Sequence, residues 1–78
     1  QRANFSLDSG RALLKRGQIA EAITQLQAAV AADPDYAEAH AALAEALTQQ
    51  GRTADAALER QRAQRLAQAQ PPKPDSHP

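Results

Sequence analysis

The side chains in this sequence that could perform chemistry are few and scattered. A hydrolytic site needs a nucleophile, a base and an acid that orients the base. Ser6 and Ser9 offer hydroxyls, but the two histidines, His40 and His77, lie far from them along the chain. As a metal ligand on a helix, His40 would need a second ligand four residues on, and that position is Ala44. With no cysteine there is neither a thiolate site nor a disulfide, and no glycine-rich loop opens a helix to cradle a phosphate. Arg60, Arg62 and Arg65 could meet phosphates, yet at these spacings they spread around a helix instead of forming one stripe. The expectation is therefore no catalytic residue, no metal and no cofactor, with His40 read as a packing residue.

Charge and composition narrow the partners. Nine basic and nine acidic residues cancel, which removes a global electrostatic case for nucleic acid or a membrane surface. No apolar run approaches the ~20 residues of a membrane span. The balance is uneven locally: residues 33–50 hold four acidic groups and no Lys or Arg. Of the 78 residues, 42% are hydrophobic, but 20 of those are alanine and only 13 are larger. A core of methyl groups in so short a chain supplies little stability, rarely more than ~3–5 kcal/mol.

Alanine, leucine, glutamine, glutamate and arginine together are the composition of helices, and no segment alternates with strand periodicity. The punctuation predicts four helices. The first covers about residues 4–16 and is closed by Gly17, which tolerates the left-handed conformation. The second covers about 19–32 and stops before Asp33-Pro34, since a residue preceding proline avoids helical geometry. The third opens with Asp35 as N-cap and Glu38 completing a capping box, and ends at Gln50 before Gly51. The fourth follows Thr53 as N-cap and runs to about residue 69, where Pro71-Pro72 cut it off. The polar, proline-rich residues 71–78 are expected to be disordered.

Gly17 and Gly51 are 34 residues apart, and the same offset pairs Ala12 with Ala46, Leu13 with Leu47, Ala22 with Ala56 and Ala29 with Ala63. A helix–turn–helix unit repeating every 34 residues resembles the tetratricopeptide repeat (TPR) family. The resemblance spans residues 3–70 as two repeats, 3–36 and 37–70. In the first, Gly10, Ala22 and Ala29 match the family's small slots, Leu13 and Leu26 its large ones, and Pro34 its terminating turn. In the second, Leu43, Ala44, Leu47, Ala56 and Ala63 match. The pattern is broken at Ser6 and Ser9, where the family carries large residues, and at Arg60 and Gln68, where it carries an apolar residue and proline. The polar fourth helix suits the end of a stack, where no further repeat follows.

The resemblance implies an all-α stack of antiparallel helical hairpins, an α-solenoid fragment whose concave face takes a protein or peptide. Carried over by position, the candidate groove residues are Asn4, Leu7, Arg11, Leu14 and Lys15 from the first repeat. The second adds Glu38, Ala41, Glu45, Thr48 and Gln49. The subgroup that clamps the C-terminal carboxylate of chaperone tails is not matched, because Leu7, Arg11 and Ala42 stand where its lysine and asparagines would be. Phe5, Leu7 and Leu14 form an apolar set that nothing in a two-repeat chain is expected to cover, so an upstream repeat, a partner or self-association is expected to bury it. The function implied is a non-catalytic interaction module or, alternatively, a structural segment of a larger assembly.

Overall fold

Four helices carry the chain in the computed structural model, which describes residues 2–69 and side chains from residue 5 onward. They are α1 (Arg2–Lys15), α2 (Ile19–Ala32), α3 (Ala37–Gln50) and α4 (Thr53–Ala69), and the described residues contain no strand. The expectations for residues 71–78, for His77 and for the side chain of Asn4 fall outside the described residues.

Helix ends follow from backbone chemistry. Gly17 and Gly51 both have positive φ, 81° and 90°. Each left-handed glycine lets the next residue's N–H reach back to an otherwise unpartnered carbonyl. Gln18 N–H donates to the Leu13 carbonyl at 2.9 Å, and Arg52 N–H to the Leu47 carbonyl at 2.9 Å. These two bonds are offset by 34 residues, so the repeat in the sequence is also a repeat of turn geometry.

Two predicted caps are corrected. Asp35 does not cap α3. The N-cap is Tyr36, whose carbonyl accepts the Ala39 and His40 N–H groups. Asp33 folds the chain into a turn first: its carbonyl accepts the Tyr36 N–H at 3.0 Å and its Oδ1 the Asp35 N–H at 3.3 Å. That turn moves the helix start past Asp35, and Glu38 turns to the Tyr36 phenol, which hydrogen-bonds to it. Likewise Thr53 is the first residue of α4, not its cap. The Arg52 carbonyl accepts the Ala56 N–H, and the Arg52 guanidinium holds Asp55 at 2.8 Å in the first turn.

The helices stack as two hairpins. α1 packs on α2 and α3 on α4, while α2 lies against α3 and α1 touches α3. One core runs through the stack: Leu7, Ile23, Leu26, Ala29, Ala39, Ala42, Leu43, Ala44, Ala46, Leu47 and Ala56 are buried in a single cluster. Leu26, Ala29, Leu43 and Leu47, matched above to the family's large and small slots, all lie in it, and Val30 packs against it half-buried. The alanines allow close approach where larger side chains would hold the helices apart.

The expected uncovered set of Phe5, Leu7 and Leu14 does not exist as such. Leu7 is only 2% exposed and belongs to the core, and Leu14 is half-buried against it. Leu7, Gly10 and Leu14 recur at helical spacing on one face of α1, and that face turns toward the neighbouring helices. Phe5 alone stands out, 73% exposed. Leu7 is therefore withdrawn from the groove candidates, because a buried side chain has no surface to offer a partner.

Candidate partner-binding cleft

α1 and α3 run past each other on one side of the stack and leave an open cleft of about 430 Å³ between them. Its lining is Arg11, Leu14 and Lys15 from α1 with Glu45 and Gln49 from α3. All five are candidates named from the sequence, and the fold brings them together. Helical spacing explains the grouping: residues 11, 14 and 15 share one face of α1, and 45 and 49 share one face of α3.

Arg11, Lys15 and Glu45 take part in none of the ion pairs of the described residues, which are His40–Glu59, Arg52–Asp55 and Arg62–Glu59. The walls differ in sign, with cations on α1 and a carboxylate on α3.

The other candidates lie apart from this lining. Glu38 and Ala41 are exposed on α3 but outside the cleft. Thr48 donates its hydroxyl to the Ala44 carbonyl at 2.9 Å and accepts from Arg60 Nη2 at 3.4 Å, so its polar atom is engaged. Tyr36 was missed, having been read only as the end of a repeat. Burial pushes its phenol above the ordinary 10.0, the charge of Glu38 and the hydrogen bond to it push the same way, and nearby Arg11 opposes them. Tyr36 thus joins Arg11 and Glu38 electrostatically.

A second cleft of about 410 Å³ lies elsewhere, lined by Val30, Pro34, His40, Arg62, Arg65 and Leu66. His40 is a packing residue, as expected, but it is also a tie. It is 4% exposed, its Nε2 lies 2.7 Å from the Pro34 carbonyl and its Nδ1 2.6 Å from Glu59 Oε1. A carbonyl only accepts, so Nε2 is the N–H donor, and a proton lies between Nδ1 and the carboxyl oxygen. His40 thereby ties the turn after α2 to α4. Sequence spacing could not reveal Glu59 as its partner, because the two are 19 residues apart on different helices. Among the described residues, no three His, Cys, Asp or Glu side chains gather as metal ligands. No described helix is long and apolar enough to cross a membrane.

Stacked helical hairpins with an open cleft between their first helices define a helical-repeat protein. A family model described as TPR repeat matches residues 10–51, just over half of the chain, and the chain belongs to that family. TPR repeats are a non-catalytic interaction fold, and the family generally mediates protein–protein contact. No curated protein and no solved structure matches the chain.

Proposed function

We propose that this protein is an interaction module without chemistry of its own, which holds a peptide or protein segment in the cleft between α1 and α3. In this reading residues 3–36 and 37–70 are two repeats that share one binding surface. The observation that supports it is the convergence of Arg11, Leu14, Lys15, Glu45 and Gln49 on one cleft, with its three charges outside every ion pair of the described residues. Glu45 disfavours a nucleic acid there, because a phosphate backbone would meet a carboxylate.

Selection from a random peptide library tests the proposal. Peptides selected on the 78-residue chain should lose about two- to fivefold in affinity when Arg11→Ala or Glu45→Ala is introduced, the scale of one exposed charge contact. Arg65→Ala, on α4, should leave them unaffected, and circular dichroism should show all three variants equally helical. Selected peptides indifferent to Arg11 and Glu45 would contradict the proposal.

A further inference from the structure

The cleft has a charge pattern specific enough to name what it takes, granted the proposal that it binds peptides. Arg11 and Lys15 are separated by one helical turn on the α1 wall. Four residues at ~1.5 Å rise place their α-carbons about 6 Å apart along the axis. In an extended peptide, side chains two residues apart point the same way and are spaced by about 6.6 Å, while the residue between them points the opposite way. A strand laid along α1 would thus meet Arg11 and Lys15 with residues i and i+2, and turn residue i+1 toward α3. On that wall stands Glu45.

From this geometry we infer that the cleft recognises an extended peptide carrying an acidic–basic–acidic triplet, its acids on Arg11 and Lys15 and its base on Glu45. Leu14, between the two cations in sequence and half-buried, offers an apolar floor for the methylene stems of the peptide's long side chains. Gln49, one turn beyond Glu45, both donates and accepts and suits the peptide's backbone amides. A uniformly acidic segment would meet Glu45, and a uniformly basic one would meet both cations.

The test uses four fluorescein-labelled peptides with glycine flanks, carrying Glu-Lys-Glu, Glu-Glu-Lys, Lys-Glu-Lys or Gln-Gln-Gln, titrated with the 78-residue chain and followed by anisotropy at low salt. Glu-Lys-Glu should bind tightest. Its advantage over Lys-Glu-Lys should be roughly five- to tenfold, the scale of a few exposed charge contacts, and should shrink at high salt. It should also exceed Glu-Glu-Lys, which has the same composition in another order. The triple variant Arg11→Glu, Lys15→Glu, Glu45→Lys should reverse the preference to Lys-Glu-Lys. Equal binding of Glu-Lys-Glu and Glu-Glu-Lys, a preference for Lys-Glu-Lys on the parent chain, or no binding of Glu-Lys-Glu would overturn the inference. The two proposals fail differently. Library-selected peptides without the triplet that still weaken with Arg11→Ala would keep the cleft and remove the triplet, whereas selected peptides indifferent to Arg11 and Glu45 would remove both.

Discussion

A β-carbon placed on Gly10 would stand 2.5 Å from Leu26 Cγ and 2.6 Å from its Cδ2. Leu26 has no exposed surface and is locked in the core, so it has nowhere to go. The absence of a side chain at residue 10 is what lets α1 lie against α2, and through it the α1 wall of the cleft is positioned.

Gly10→Ala should therefore destabilise the fold. Alanine in place of glycine favours a helix by about 1 kcal/mol, but overpacking a full core costs about 1–3 kcal/mol. The steric term wins, and thermal unfolding followed by circular dichroism should show a lower midpoint. A raised midpoint would mean that α1 and α2 do not approach as described.

Leu47→Ala empties a core position that is 4% exposed. Its expected effect is about 2–5 kcal/mol, comparable to the whole stability of so small a core. The variant should show much reduced helicity. A chain as helical and as heat-resistant as the parent would contradict the core assignment.

Much of this fold was legible in the sequence, for reasons that differ by residue. Gly17 and Gly51 announced their turns because few other residues take positive φ comfortably, and the 34-residue offset between them named the architecture. Five cleft residues were legible by position within the repeat. Leu7 was misjudged because the same positional rule assigned it to the groove, whereas its spacing from Gly10 and Leu14 turns it inward. Asp35 looked like a cap by type, but the preceding Asp33 turn decided where the helix begins. The His40–Glu59 tie was invisible, since nothing local connects residues 19 apart on separate helices.

That tie yields a signed comparison. His40→Ala strips the Pro34 carbonyl of its donor and leaves Glu59 with Arg62 alone, and should lower stability by about 1–3 kcal/mol, read from the urea midpoint. Glu59→Gln should be milder, because an amide still pairs with Nδ1. A Glu59→Gln midpoint unchanged from the parent, beside a loss for His40→Ala, would show that His40 serves only as packing volume.

Tyr36 is the sole tyrosine, and the chain has no tryptophan, so its phenolate absorbance can be titrated cleanly. The midpoint should lie above 10.0, with burial the main cause. Glu38→Gln should lower it and Arg11→Ala should raise it, because the carboxylate disfavours the phenolate and the guanidinium favours it. A folded pKa above the unfolded one means that the protonated phenol's contribution is fully present below pH 10 and is lost as pH rises through the folded value. A midpoint below 10.0, or no response to either variant, would displace Tyr36 from the Arg11–Glu38 neighbourhood.

The central claim, that the protein works through the cleft between α1 and α3, is met most directly by amide chemical-shift mapping of the ¹⁵N-labelled 78-residue chain titrated with a library-selected peptide. The account predicts that the largest shifts fall at Arg11, Leu14, Lys15, Glu45 and Gln49, with the outer face of α4 around Gln61 and Arg65 unmoved. Shifts centred on α4, or on the second cleft around Val30, Arg62 and Leu66, would contradict it.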